Sequence, residues 1–526
     1  MKIVGLGGRC RACAAYILPA ILFSIAAACD LFVQRVEPIG PFTMLALTAR
    51  AVRFGLLAGA LGFLIGRIAR FVHIALWVWF CLVLAVEGFA HFGFSTVIDG
   101  CWVMVIADSS MDEIKAFLAN VPVLLLASTL VATIGALVLG FRALAATPYP
   151  RISWRSLTLS LILVLPFTIY DLCWRTRLGA FDALIAFHLP KDALRNYDSL
   201  KKFAQAAISP RLPDGLRITT SKSQAPMGLI VVGESATCRD WGLYGYERPT
   251  TPCLSEMEDE LIVFRDVIAT HGATAMSLKM VFTEATAERP DDAECMFSQK
   301  CASAGYSCAL VSAQARWSRW EGVEKFLFSG CDDRWYLAEQ PNPEKAVRYD
   351  DALIAPILSR LESGATNPVP RLVFAHLMGS HFEPRDRFPP SFQKYPRYQG
   401  DYPPGLDADS HPWNILATDA YDNSIAFTDS VLGAMLEGLK KIRRPVFFVY
   451  FSDHGETPRS PNWRYPSDPD LTAIPLVVWL SPEYRAAFPE VVAEIARKAR
   501  TPLRLDRLQT ILLPLARVVS GGSRIE

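Results

Sequence analysis

Nearly all the long apolar runs of this chain lie in its first third, and that asymmetry limits the folds open to it more than any other feature. The runs are Ala14 to Val33, Phe54 to Ile68, Val72 to Phe92, Val121 to Phe141 and Leu157 to Leu172. A run near twenty residues matches the hydrocarbon thickness of a bilayer, where a helix satisfies every backbone group internally. The 51% hydrophobic content over 526 residues agrees with a chain that is partly embedded. Five transmembrane helices are therefore expected. The second is the shortest, with 13 residues between Arg53 and Arg67, and spans only if those arginines extend toward the interfaces. The first run follows Lys2, Arg9 and Arg11, so it reads as a signal peptide or an anchor. No small-residue cleavage site precedes the next apolar runs, which favours the anchor.

Basic residues occupy alternate connections: the N-terminus, the Arg67 to Arg70 link and the Arg142 to Arg155 loop. The positive-inside rule puts these in the cytoplasm, and an odd helix count puts everything after residue 174 outside. The outer loop 93–120 is long for a connector. Ser109 to Leu118 within it reads as a short amphipathic helix, capped by Ser109 or Ser110 and acidic at Glu113. Fifty-three basic residues against 52 acidic ones leave a net charge of +1, which excludes a broad nucleic-acid footprint.

Three regions follow. Residues 1–174 form the helical membrane domain, 175–226 bridge to the next region through a polar linker, and 227–526 carry alternating strands and helices. The expected strands are Gly228 to Gly233, Leu261 to Ile268, Ser307 to Ser312, Arg371 to His376, Val446 to Phe451 and Ile474 to Leu480. Such alternation predicts a doubly wound α/β domain.

Two of these strands end in chemistry. Val446 to Phe451 is apolar throughout and turns abruptly polar at Ser452-Asp453-His454-Gly455-Glu456. Ligands in open α/β sheets lie beyond the carboxyl ends of strands, so Asp453 and His454 are placed to offer a metal one oxygen and one nitrogen. Gly228 to Gly233 likewise ends at Glu234. After the third strand, Ala275 to Ala285 reads as a helix with Thr274 at its N-terminus, a position that also suits a simple cap. Tyr421-Asp422-Asn423-Ser424 reads as the start of a helix running to Leu439, with Asp422 its cap.

The ordered set Val-Val-Gly-Glu234, Tyr244-Gly-Tyr-x-Arg-x-Thr-x-Pro252, Thr274 opening a helix, His376-Leu-Met-Gly-Ser-His381, Tyr421-Asp-Asn-Ser424 and Ser452-Asp-His-Gly-Glu456 resembles the bacterial phosphoethanolamine transferases of the alkaline phosphatase and sulfatase superfamily. The resemblance covers nearly the whole chain, membrane part included. It implies an alkaline phosphatase/sulfatase-like catalytic domain in the periplasm, anchored in the inner membrane. It also implies a Zn2+ ion held by Glu234, Thr274, Asp453 and His454, with Thr274 the nucleophile. His381 is implied to bind substrate or a second metal, and His376 or His381 to carry protons. Family members present Thr-Asn and then Glu on the outer loop near the donor head group. Ser110 and Glu113 match that place, with serine in place of asparagine. Lipid A enzymes bracket the nucleophile segment with a cysteine pair, whereas Thr270 and Met280 stand here, pointing to the lipopolysaccharide-core type.

The implied reaction moves phosphoethanolamine from phosphatidylethanolamine to a lipopolysaccharide component through a covalent Thr274 intermediate. Core sugar, Kdo, lipid A and a periplasmic glucan stay open as acceptors, and a phosphoglycerol transferase shares the same architecture. A sulfatase would need a Cys or Ser followed by x-Pro-x-Arg, which is missing. Some members of the family carry a further His shortly after the Asp-His-Gly-Glu element for a second metal; none of the eight histidines here follows His454, so the resemblance implies a single tightly held zinc. Six cysteines from Cys238 to Cys331, in an oxidising compartment, are expected to form disulfides.

Overall fold

The computed structural model describes residues 17–29, 54–58, 60, 68–94, 123–147, 158, 202–203, 205, 207–221, 224–290, 292–314, 326–341, 347–365, 369–395, 402–407, 410, 412–459 and 469–520. They fall into two compact units, one holding the helices up to Ala146 and one the residues from Lys202 onward.

The first unit contains helices α1 (Ile17–Cys29), α2 (Ala69–Phe94) and α3 (Val123–Ala146). Of these, α2 and α3 are long and apolar enough to cross a membrane. The ring of Phe23 packs against Phe54, His73, Trp77 and Phe80, which makes the inner seam aromatic. Polar atoms in the seam are closed on backbone: His73 Nε2 lies 2.8 Å from the Ala58 carbonyl, and Trp77 Nε1 donates to Ala136 O at 3.0 Å. Outward, Ile17, Ile21, Leu124, Val131 and Leu139 are exposed. An outer surface of that kind suits lipid contact. Apart from Thr158, the expected span at Leu157 to Leu172 lies outside the described residues, as do the loop helix Ser109 to Leu118 with Ser110 and Glu113 and most of the Phe54 to Ile68 span.

The second unit is built on a seven-stranded sheet. Its strands are β1 (Met227–Gly233), β2 (Leu261–Phe264), β3 (Ser307–Ser312), β4 (Asp333–Tyr336), β5 (Arg371–His376), β6 (Val446–Ser452) and β7 (Leu476–Leu480), in spatial order β2-β7-β6-β1-β5-β3-β4. Every strand but β7 runs parallel to β1. Central strands β1 and β6 are buried at all seven positions each. Burial on both faces is why they read as unbroken apolar runs rather than alternating ones.

Helices cover both faces. Those at Thr274–Phe282 (α4) and Phe297–Ala304 lie on one, while α5 (Ile354–Ala365) and α6 (Pro412–Leu439) lie on the other. The bridging segment ends docked rather than slack, since Arg217–Ile218 pair antiparallel with Val518–Val519.

Three expectations change here, and one strand was not foreseen. The run Leu261 to Ile268 splits at Arg265-Asp266: only its first half joins the main sheet, and Val267–Ile268 pairs with Leu503–Arg504. The polar edge strand β4 carries no apolar alternation and escaped pattern reading. Helix α6 begins at Pro412, so Asp422 is an interior residue and caps nothing. Among the described residues the cysteines are free thiols, Cys238, Cys253, Cys295, Cys301, Cys308 and Cys331 included. Cys301, Cys308 and Cys331 are packed in the apolar core around β3, where they fill space as small hydrophobes.

Asp422 instead joins a buried ionic cluster. Arg248 Nη1 lies 2.7 Å from Asp422 Oδ2 and 2.8 Å from Asp419 Oδ1, and the Tyr246 hydroxyl donates to Asp422 Oδ2 at 3.0 Å. The Arg248 guanidinium also sits 4.9 Å from the Tyr395 ring centroid. Thus the Tyr-x-Arg element ties the loop after β1 to α6.

Candidate metal centre and nucleophile

Parallel pairing brings the chemistry to one rim. Val232 of β1 stands opposite His376 of β5, and Gly233 opposite Ser452 of β6, so the residues leaving these strands emerge side by side. Glu234 follows β1, Asp453 and His454 follow β6, and all three are buried. Gly455 permits the turn after them, because a Cβ there would fall 1.9 Å from the Asp470 carbonyl oxygen.

Thr274 is the first residue of α4, but its side chain does not cap that helix. Its Oγ1 lies 3.2 Å from each Glu234 carboxylate oxygen and 3.4 Å from His454 Nε2. His454 Nε2 is in turn 3.4 Å from Glu234 Oε1 and 3.4 Å from Asp453 Oδ2. One ligand atom each from Glu234, Asp453 and His454 fits within 4.8 Å.

Two observations test whether this set suits a metal. First, Asp453 Oδ1 accepts the amides of Ser235 (3.0 Å) and His454 (2.8 Å), while Oδ2 is buried with no hydrogen-bond partner. Second, His454 Nδ1 lies 2.7 Å from the Gly455 carbonyl, so it carries the proton and leaves the Nε2 lone pair facing the carboxylates. Burial, then the Asp453 charge, push the Glu234 carboxyl well above the usual range. Asp453 stays below it: burial pushes up, but His454, Thr274 and the Ser235 amide pull further down. Two buried carboxylates this close repel unless a cation lies between them. The donor set of three oxygens and one nitrogen fits one zinc ion.

Removing either of two ligands tests that fit. Asp453→Ala and His454→Ala are each expected to lower bound zinc to a small fraction of wild type, read by elemental mass spectrometry, because three donors rarely retain a structural-strength site. The membrane-inserted yield should hold, since β6 is packed without its ligands. Unchanged zinc in both variants would place the metal elsewhere.

His376 closes β5 with Nε2 4.0 Å from Glu234 Oε2, within reach of the site but outside hydrogen-bond distance. His381 ends the next turn, half buried, with Nδ1 3.0 Å from the Phe382 carbonyl. The four proposed ligands thus converge, His376 stands beside them, and His381 lies on an adjoining turn. Sequence reading missed the supporting residues: Ser235, whose hydroxyl donates to Glu234 Oε1 at 2.9 Å, and Ser452, whose hydroxyl accepts the Ala236 amide at 2.9 Å. Both are adjacent to ligands, and that adjacency was their only signal.

Comparison with known proteins bears on the family and the fold. The sulfatase family model matches residues 226–515. Phosphoethanolamine transferase EptC of Escherichia coli is 28% identical over 276 residues, covering 50% of this chain and 46% of that protein. Phosphoethanolamine transferase CptA of Salmonella typhimurium is 27% identical over 294 residues, covering 53% and 49%. The chain spans about half the length of the curated relatives it matches. Among solved structures, the C-terminal periplasmic domain of Escherichia coli EptC in complex with Zn superposes with TM-score 0.53 at 24% identity, covering 60% of this chain and 88% of that one. The integral membrane lipooligosaccharide phosphoethanolamine transferase A of Neisseria meningitidis gives TM-score 0.64 at 16% identity, covering 98% and 97%. With the family model matching more than half of its length, this chain belongs to the sulfatase family.

Proposed function

We propose that this chain is a zinc-dependent phosphoethanolamine transferase of the bacterial inner membrane, taking its group from phosphatidylethanolamine and passing it to a lipopolysaccharide component, a core sugar rather than lipid A. The observation that carries the reading is Thr274 Oγ1, held at the start of α4 between Glu234 and His454 although it caps no helix. Five helices in residues 1–174 would anchor it, residues 175–226 would bridge, and residues 227–526 would work in the periplasm.

In the first step Thr274 Oγ forms a bond to phosphorus as the phosphorus bond to the glycerol oxygen breaks. The threonine proton leaves to solvent before the attack, and diacylglycerol departs with a proton from His376 or His381. In the second step the acceptor oxygen bonds to phosphorus, the Thr274 bond breaks, and the acceptor's proton is taken up by the same histidine. A bound zinc would lower the pKa of Thr274 and draw negative charge from the phosphoryl oxygens. Ser110 and Glu113 on the outer loop would hold the donor's ammonium and phosphate.

Enzyme given phosphatidylethanolamine alone should release diacylglycerol and gain one phosphoethanolamine on the peptide containing Thr274. A modification on another residue would overturn the nucleophile. For location, a reporter fused after Glu526 should be active only in the periplasm, and one fused near Pro148 only in the cytoplasm. The reverse pattern would remove both the compartment and the lipid donor's access.

A further inference from the structure

The turn that follows β5 starts at His376 and ends at His381, and its shape is imposed from outside. Gly379 is left-handed (φ 50°), and a Cβ there would fall 2.8 Å from the carbonyl oxygen of Glu234 and 2.9 Å from its nitrogen. Only glycine lets the turn lie so close to a metal ligand. So close an approach leaves the amides of Met378 and Gly379 facing the protein interior, where each requires an acceptor.

Asp350 supplies both. Its Oδ1 accepts Met378 N–H at 2.9 Å and its Oδ2 accepts Gly379 N–H at 2.8 Å. The next amides close the turn on the site: Ser380 N–H donates to Glu234 O at 2.9 Å and His381 N–H to Met378 O at 3.0 Å. Arg387 holds the far end through His381 O (2.9 Å) and Phe382 O (2.6 Å). Asp350 is itself buried and opens the short helix Asp350–Leu353, which continues into α5 against β5. The carboxylate therefore reaches the turn from a rigid element.

We propose that Asp350 is a positioning residue for the transfer reaction: its two oxygens hold the turn from Leu377 to His381 against Glu234 and so set where the His381 ring stands. A carboxylate is needed, because asparagine accepts through one oxygen and turns an N–H2 donor toward the second amide. The kinetic part rests on the transferase reading above; the backbone part does not.

The test uses the full-length protein in detergent and compares Asp350→Asn, His381→Ala and the double variant. In Asp350→Asn, deuterium uptake should quicken in peptides covering 377–387 while zinc content and Tm stay near wild type. With phosphatidylethanolamine as donor, kcat should fall about tenfold or more with KM within about twofold. In the His381→Ala background the same change should have an effect below about twofold, because its action runs through that ring. A full multiplicative loss in the double variant, or unchanged exchange with intact kcat, would overturn the proposal. Zinc loss with general destabilisation would make Asp350 structural and overturn it too. Should Asp350→Asn not fold, Asp350→Glu keeps the charge but lengthens the reach, and intact kcat with unchanged exchange there would sink the idea. If wild type transfers nothing from this lipid, the donor assignment fails and deuterium uptake alone decides on Asp350.

Discussion

Thr274→Ala is expected to lower donor cleavage by three orders of magnitude or more, since loss of a nucleophile removes the covalent route itself. The protein should remain folded and close to wild type in Tm. The reason lies in α4: its N-cap is Ala273, and the threonine hydroxyl bonds to Glu234 and His454 instead of to helix amides. Thr274→Ser keeps the oxygen and gives up one methyl, so it should retain activity about tenfold below wild type. Single-turnover release of diacylglycerol, with mass mapping of the modified peptide, measures both. Wild-type transfer by Thr274→Ala would mean that the acceptor attacks the donor directly.

Arg248→Ala should produce the largest loss of stability. It leaves Asp419 and Asp422 buried without their cation, and breaking a buried ion pair by removing one partner costs about 3–5 kcal/mol. For a unit of this size that corresponds to a Tm drop on the order of 5–10 °C. The loss carries a pH signature. Burial already pushes the Asp422 carboxyl up to about 7, against the pull of Arg248 and Tyr246. A raised carboxyl pKa favours the folded state below the unfolded value, and that contribution fades as pH rises through the folded one. Without Arg248 the folded pKa moves higher still, so the deficit should shrink toward acid pH, where a neutral Asp422 needs no cation. Calorimetry near pH 5.5 and near pH 8 compares the two. An equal deficit at both would trace the effect to lost packing against Tyr395 rather than to charge.

How legible the site was differs from residue to residue. Glu234, Asp453 and His454 could be read because each follows a strand buried on both faces, and such a strand is an apolar run whose end is marked by the first charged side chain. Thr274 could be located at a helix start, yet its neighbours there could equally have made it a cap. Only the packed structure, with Oγ1 turned onto Glu234 and away from its own helix, separates the two. Asp422 was misread for the complementary reason. An Asp before a periodic apolar stretch looks like a cap, whereas α6 starts ten residues earlier and Asp422 faces Arg248.

By itself the sequence determined what depends on local composition and period: the apolar runs of the first third, the α/β alternation after residue 227, five of its central strands nearly to their ends, and which acids close them. Tertiary structure decided whatever depends on partners remote in the chain. Strand order β2-β7-β6-β1-β5-β3-β4, the reversed direction of β7, the polar edge strand β4 and the free thiols around β3 all belong there. So does Asp350, which lies in an unremarkable Tyr-Asp-Asp stretch and acquires meaning only through two amides 28 and 29 residues away. The physical reason is common to all of these. Side-chain periodicity reports which face of an element is buried, but hydrogen bonds and charges report only to the groups that happen to meet them, and chain folding alone chooses those groups.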